Sequence, residues 1–419
     1  MTGHPGNLFT ADTERFFRFL SVDESAHHIL TVLFIFPALT GKAGRGCASV
    51  LSFHLSCLPG KACHVSLSLK NIVVKAEGQT LIYDTSVDLA VSGFNILLGT
   101  TLAGKTTLMQ VMAGLLKPAE GEIWFKGQNV TGMPVQKRNV SMVYQQFINY
   151  PNMTVFENIA SPLRVVKTPT KVIRERVGPV AEMLKLSPFL DRKPSELSGG
   201  QQQRCAMARA LVKDSDLVLL DEPLANLDYK LREELRDELP RIFADRDCTV
   251  VYATTEPSEA LLLAGHTAAM QEGRIAQFGP TSEVYRQPIN LATAQVFSEP
   301  PMNTVAVTKA GGFLVLEDQL RWPISGAIAG LADGAYVLGL RAHHVVVAAG
   351  GSSDAQVQGA VQVTEISGSE STVHFSMNAE NWVSQSHRVH QFDAGQAVAF
   401  NLDLNHALLF TPDGALAHA

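Results

Sequence analysis

Apolar and polar residues alternate over Val65–Val74 and again over Leu81–Val91, the period of two that marks half-buried strands. Three other stretches are apolar without alternation: Asn95–Leu98, Asp216–Leu220 and Thr249–Thr254. They read as strands covered on both faces. Glu122–Phe125, with Gly121 and Gly127 at its ends, is a further strand and turn. Helical spacing runs over Leu108–Leu116, Lys171–Leu184 and Ser198–Val212, and residues from about Pro151 to Asp214 are mostly helical. From Gln287 onward the pattern changes to short β-like runs punctuated by glycine: Tyr336–Arg341, Ala360–Glu365, Ser371–Phe375 and Ala397–Asn401. The pattern therefore predicts an α/β unit over 65–286, split by a helical insertion over about 151–214, and a small all-β unit over 287–419.

Residues 1–64 follow neither rhythm. Their apolar run, Ile29–Leu39, is too short to span a bilayer. The preceding Asp12, Glu14, Asp23 and Glu24 do not suit a secretion signal. No Met lies between Met1 and Met109, so the expectation is a start assigned too early, the true one being an alternative start codon near Val65; a loosely packed appendage is the other reading.

Composition narrows the classes. A chain of 419 residues, 46% hydrophobic and 18% charged, has material for two or three folded units. Its net charge of −6 offers no general attraction to nucleic acid or anionic lipid. The five cysteines, Cys47, Cys57, Cys63, Cys205 and Cys248, lack C-x-x-C spacing, which argues against a disulfide framework or zinc site and suits a reducing compartment.

The candidate chemistry begins where the Asn95–Leu98 strand meets the Leu108–Leu116 helix. Gly99, Thr100, Thr101, Leu102, Ala103, Gly104, Lys105, Thr106 and Thr107 fit the phosphate-loop pattern G-x-x-x-x-G-K-[ST] in its strand–loop–helix context. Glycines let backbone N–H groups turn inward on phosphate oxygens, and the helix N-terminus adds positive charge. Lys105 is placed for the β- and γ-phosphates and Thr106 for Mg²⁺. The strand Asp216–Leu220 then runs into Asp221 and Glu222, the first suited to hold Mg²⁺ and the second to orient the attacking water. The expected ligands are ATP and Mg²⁺.

Leu197-Ser198-Gly199-Gly200-Gln201-Gln-Gln-Arg204 resembles the signature motif of ABC transporter ATPases. The resemblance implies a P-loop NTPase of the ABC type, in which two nucleotide-binding domains meet head to tail. Ser198, Gly199, Gly200 and Gln201 would then close on ATP held by the partner's phosphate loop. By the same resemblance Gln145 matches the Q-loop glutamine that contacts Mg²⁺, and Ala225-Asn226-Leu227-Asp228 matches the D-loop at the dimer interface. Val135–Val140 and Met142–Asn158 look like the carbohydrate-importer group typified by the maltose ATPase, and the tail is similar to the OB-like regulatory domain of that group. The tail's four Lys and Arg against eleven Asp and Glu do not suit a nucleic-acid reader. Within the group, Thr101–Thr106, the Gln145–Pro151 run and Ala253–Ala260 look most like one of the two ATPases of bacterial glycerol importers. No apolar run is long enough to span a bilayer, so the implied partners are two separate permease chains, a second ATPase and, indirectly, a solute-binding protein, at the cytoplasmic face of the inner membrane.

Two positions depart from the family pattern. Thr255 stands where a switch His is expected to bond the γ-phosphate and the attacking water, and the loss of such a bond, about 1.5–3 kcal/mol, slows hydrolysis roughly ten- to a hundredfold. His266 lies too far along to replace it readily. Glu77 stands before Gly78 where an aromatic stacks on adenine; Tyr83 is a possible substitute, though a strand Tyr packed on the core is preferred. With Glu222, Asp228 and the signature intact, the expectation is a heteromer whose partner supplies the switch His, the alternative being a homodimer in which Thr255 and Glu222 suffice. The rival functions are a soluble ABC-type ATPase of translation or DNA repair, which would carry two fused ATPase domains or a long coiled coil, and a nucleotide-binding regulator with weak or no hydrolysis.

Overall fold

The computed structural model describes residues 65–90, 93–225, 227–244, 246–317, 320–348, 355–378 and 380–419. Every described element belongs to the unit Cys63–Ala419. The expectations for residues 1–64, and the D-loop residue Asn226, lie outside the described residues.

Strands β1 (Val65–Ala76) and β2 (Gln79–Ala90) form an antiparallel hairpin turned at Glu77 and Gly78, whose φ angles are 49° and 80°. Next come β3 (Phe94–Leu98), α1 (Lys105–Ala113), β4 (Glu120–Phe125), β5 (Gln128–Asn129) and β6 (Val140–Val143). The helical segment holds α2 (Val155–Val165), α3 (Thr170–Met183) and α4 (Gly199–Leu211). The chain then returns through β7 (Leu217–Asp221), α5 (Tyr229–Ala244), β8 (Thr249–Thr254), α6 (Pro257–Leu263), β9 (His266–Gln271) and β10 (Arg274–Pro280). One sheet has the order β2-β1-β4-β5, and the other β10-β9-β3-β8-β7-β6, parallel from β9 to β6 with β10 antiparallel at the edge.

Every residue of β3, β7 and β8 is buried, which explains their unbroken apolar sequences. Successive side chains feed opposite cores. Ile96, Leu98, Val218, Leu220, Val250 and Tyr252 join Ile159, Val177 and Leu235 of the helices on one face. Leu97, Leu217, Leu219 and Val251 join Leu108, Met109, Leu67 and Ile82 on the other. The parallel sheet is thereby clamped in register, and the loops at the carboxyl ends of its strands are held rigidly enough to build a site.

Helix boundaries follow local chemistry. Thr154 and Glu157 form a reciprocal capping box at the start of α2, and Ser198 and Gln201 form another at α4. Helix α1 stops at Ala113, short of the expected Leu116, because Gly114 turns left-handed at φ 77° and donates its N–H to Gln110 O and Val111 O.

After α7 (Thr281–Arg286) and α8 (Leu291–Val296), the all-β part comprises β11 (Asn303–Ala310), β12 (Phe313–Leu316), β13 (Leu320–Pro323), β14 (Gly334–Leu340), β15 (Val345–Val347), β16 (Gln356–Ser367), β17 (Glu370–Met377), β18 (Glu380–Ser386), β19 (Ala397–Leu402), β20 (Leu408–Phe410) and β21 (Leu416–His418). They make two sheets, β13-β12-β11-β14-β20-β21 and β15-β19-β16-β17-β18, around one core with Trp322, Trp382, Phe375 and Phe400 at its centre. Phe375 and Phe400 stack at 3.8 Å between centroids, and a Cβ at Gly359 would come within 2.1 Å of the Phe375 ring, so β16 needs glycine there. The expected all-β, OB-like tail is thus present. Among the described residues no helix is long and apolar enough to cross a membrane.

Candidate nucleotide site

The loop 99–104 leaves the buried end of β3 beside the ends of β8 and β9. A Cβ at Gly99 would lie 2.4 Å from Met270 O of β9, so only glycine lets the strand turn there. Gly104 has φ 97°, and a Cβ on it would meet Ile82 Cδ1 at 2.7 Å. Thr100 O accepts from Ala103 N at 3.1 Å, curling the loop, while Thr100, Thr101 and Leu102 face solvent, Leu102 at 94% exposure. The first turn of α1, Lys105 to Thr107, follows at once, and a helix start leaves its first N–H groups without intrahelical acceptors.

Lys105 is only 5% exposed, and its Nζ donates to Gly99 O at 2.8 Å and Thr100 O at 3.1 Å. The same ammonium stands 3.6 Å from Glu222 Oε1. Burial pulls its pKa below the ordinary value, with Glu222 and then Asp221 opposing that shift. The side chain therefore folds back over its own loop, a cation within a peptide-lined pocket.

Strand β7 delivers the two carboxylates. Asp221 Oδ2 accepts from Thr106 Oγ1 at 2.8 Å, whereas Asp221 Oδ1 is buried without a hydrogen-bond partner. Burial raises the Asp221 pKa, the Thr106 hydroxyl lowers it, and the neighbouring Glu222 charge raises it further. A hydroxyl beside a buried, incompletely bonded carboxylate is a donor set of hard oxygens that suits Mg²⁺. Glu222, left-handed at φ 44° and tied by its N–H to Ala253 O at 3.0 Å, turns its other oxygen to Gln145, whose Nε2 donates at 2.8 Å. The structure thus brings Gly99–Thr107, Gln145, Asp221 and Glu222 together from three segments.

Thr255 follows β8 directly and is exposed. Gly99 N donates to Thr254 O at 3.4 Å, so the position expected for the switch His does flank the phosphate loop. His266 cannot take its place, because in the parallel register it pairs with Asn95, at the opposite end of β3 from the loop. Tyr83 corrects the preferred core reading: it is 38% exposed, and its ring lies 4.2 Å from the Arg274 guanidinium. Burial on β2 alternates, with Ile82 inward and Tyr83 outward.

Ser198 and Gln201 of the signature satisfy each other, Ser198 N donating to Gln201 Oε1 at 2.9 Å and Gln201 N to Ser198 Oγ at 3.4 Å. A Cβ at Gly199 would meet nothing nearer than Phe147 at 4.0 Å, which leaves the start of α4 open for an incoming group. Asp228 caps α5, its Oδ1 accepting from Leu231 N at 3.0 Å.

Several contacts could not be read from spacing. Buried Gln203 of α4 donates from Nε2 to Pro223 O at 2.7 Å, joining the signature helix to the turn after Glu222. Glu259 of α6 is 4% exposed and accepts from Tyr252 Oη at 2.9 Å and Thr254 Oγ1 at 2.6 Å. Arg232 Nη1 donates to Glu256 at 2.8 Å and Nη2 to Ala225 O at 3.1 Å, bridging α5 to the segment after β8. A Glu on the apolar face of Pro257–Leu263, beside Ala260 and Leu263, is a signal that could have exposed the second of these.

Comparison with known proteins agrees with the geometry. The ABC transporter family model matches residues 83–225, and the TOBE domain model matches 338–410. The sn-glycerol-3-phosphate import ATP-binding protein UgpC of Escherichia coli K12 is 34% identical over 347 residues, covering 82% of this chain and 97% of that protein. An uncharacterized ABC transporter ATP-binding protein of Bacillus subtilis, YurJ, is 31% identical over 82% of this chain and 97% of its own length. The spermidine/putrescine import ATP-binding protein PotA of Marinobacter nauticus is 40% identical over 59% of this chain and 66% of its own. The chain belongs to the family of ABC transporter ATP-binding proteins, the transport ATPases, with a TOBE domain at its C-terminal end.

Proposed function

We propose that this chain is the energy-coupling ATPase subunit of an ABC importer for a small polyol or sugar, glycerol or a glycerol derivative, and that it forms one half of a heteromeric ATPase pair. Residues 65–286 form the nucleotide-binding domain and 287–419 the regulatory domain. The observation that carries the pairing is Thr255, exposed beside the phosphate loop at the switch position while Glu222, Asp228 and the signature keep their family residues. The solute rests on the UgpC relatives and on the resemblance to glycerol-importer ATPases.

In this reading the loop amides and the start of α1 bind the phosphates of ATP. Lys105 exchanges its carbonyl partners for the β- and γ-phosphates, and its swing releases Glu222 to orient and deprotonate the attacking water. Thr106, Asp221 and Gln145 hold Mg²⁺, which when bound neutralises charge building on the transferred phosphoryl group. Thr255 supplies no imidazole to that water, so turnover at this loop is slow. Ser198, Gly199, Gly200 and Gln201 close on the partner's ATP, where a partner His restores the ordinary rate. The subunit acts at the cytoplasmic face of the inner membrane, with two permeases and a solute-binding protein, and not on nucleic acid. The reading as a soluble nucleotide-binding regulator draws on Thr255 and the C-terminal barrel but gives Glu222 no task.

Purification of the tagged chain in mild detergent, co-expressed with neighbouring genes, tests the proposal. Two permeases and a different ATPase bearing a switch His support it. Permeases accompanied by this ATPase alone would refute the heteromer, and recovery without permeases would refute the transport role.

A further inference from the structure

The all-β domain contains a cluster of histidines that the nucleotide chemistry does not use. His343 and His344 lie in the 3₁₀ turn Ala342–His344 after β14, and Asp403 and His406 lie at the turn between β19 and β20. Asp403 N donates to His344 O at 2.9 Å, so the two turns are pinned to each other through the backbone. The His344 and His406 rings stack at 4.5 Å and 4° between planes, and His343 packs on His344 at 4.2 Å. Asp403 Oδ2 sits between two ring nitrogens, 2.8 Å from His406 Nδ1 and 3.9 Å from His344 Nδ1.

We propose that His344, Asp403 and His406 form a binding site for a divalent transition metal ion of the zinc class. One donor atom from each of the three residues lies within 4.8 Å of the others. Around a tetrahedral ion with bonds of about 2.0–2.1 Å, neighbouring donors stand about 3.3 Å apart. The observed 2.8 and 3.9 Å separations straddle that value, and binding one ion in the plane of both rings requires the stacked His344 and His406 rings to tilt out of their parallel arrangement. Two imidazoles and a carboxylate select Zn²⁺, Co²⁺ or Ni²⁺ over Mg²⁺ and Ca²⁺, which prefer all-oxygen sites. The exposure of the side chains is graded, 17% for His344, 40% for Asp403 and 60% for His406, so the ion has a route in and solvent can complete its coordination.

The surroundings suit a metal ion. Arg341 is the nearby cation, but it is turned away, its guanidinium 3.9 Å over the Tyr285 ring with Nη2 donating to Tyr285 O at 2.6 Å. An ion shared by Asp403 and the two rings would tie the exit of β14 to the turn that carries the chain into β20, the strand with which β14 pairs. The bound metal would therefore stiffen the centre of one sheet of the regulatory domain.

The test uses the untagged full chain with excess Mg²⁺ and no nucleotide. Co²⁺ is added while the visible ligand-field bands are recorded, and Zn²⁺ is titrated calorimetrically in parallel. The expected result is one equivalent bound, a tetrahedral or five-coordinate Co²⁺ spectrum, and a higher Tm with Zn²⁺. His406→Ala and Asp403→Asn should each weaken binding at least about tenfold, and His387→Ala should leave it unchanged. His406→Ala is the cleaner of the two variants, because His406 is the most exposed member and its loss leaves the core untouched. Absence of one-equivalent binding, or binding undiminished in both His406→Ala and Asp403→Asn, overturns the site.

Discussion

Thr255 stands exposed at the position where a switch His is expected. It follows β8 next to the loop that would hold the γ-phosphate, and its side chain is too short to act as the imidazole expected there. Because the position is exposed, Thr255→His should be accommodated without repacking. Single-turnover ATP hydrolysis in the assembled ATPase pair should then accelerate at this site by about ten- to a hundredfold, with nucleotide affinity little changed. No acceleration would mean that Thr255 does not limit the chemistry. Behind it, Glu259 accepts from Tyr252 and Thr254 and so fixes the strand end from which Thr255 projects. Burial raises the Glu259 pKa above its ordinary 4.5, with the two hydroxyls opposing. A raised folded pKa means that stability is fully present below pH 4.5 and is lost as pH climbs through the folded value. Glu259→Gln keeps an acceptor and sheds the charge, so its Tm should match or exceed that of the native chain at neutral pH, with the difference fading near pH 4. Glu259→Ala should instead cost about 1–3 kcal/mol by orphaning two hydroxyls, visible in denaturant unfolding.

At the scale of elements, the site is a set of strand ends. Gly99 is where β3 stops, and its missing Cβ is what lets the loop pass Met270 O. Gly99→Ala should lose about 1–3 kcal/mol of stability and most ATP affinity together, measured by thermal unfolding and nucleotide titration. An alanine variant that bound ATP normally would show that the close approach is not needed. The loop, the acids of β7 and the signature were legible in sequence because each is a short run whose chemistry is local. The boundaries of α1 were harder: its start at Lys105 is polar and its end is set by Gly114. Helix α5 carries Leu231, Leu235, Leu239 and Phe243 at four-residue spacing, a pattern hidden among its many charges. Strands β11 to β13 alternate too weakly, or are too short, to stand out. Tyr83 misleads because strand parity, not residue type, decides which side it faces. Gln203 and Pro223 meet only through tertiary packing, which spacing does not encode.

For the whole molecule, the proposed arrangement is asymmetric. This chain would own one slow site, built on Lys105, Glu222 and Thr255, and would lend Ser198 and its neighbours to a faster site on its partner. The Gln203 to Pro223 hydrogen bond gives the two halves of that role a physical connection within one protomer, from the signature helix to the turn after Glu222. The most direct measurement is steady-state ATPase activity of the purified transporter carrying either Glu222→Gln or Ser198→Arg in this subunit alone. Ser198→Arg should abolish turnover by obstructing the partner's site, while Glu222→Gln should lower it less than about tenfold because the slow site contributes little. Equal loss in both variants would rule out the asymmetry and point to two equivalent sites in which Thr255 takes part in hydrolysis.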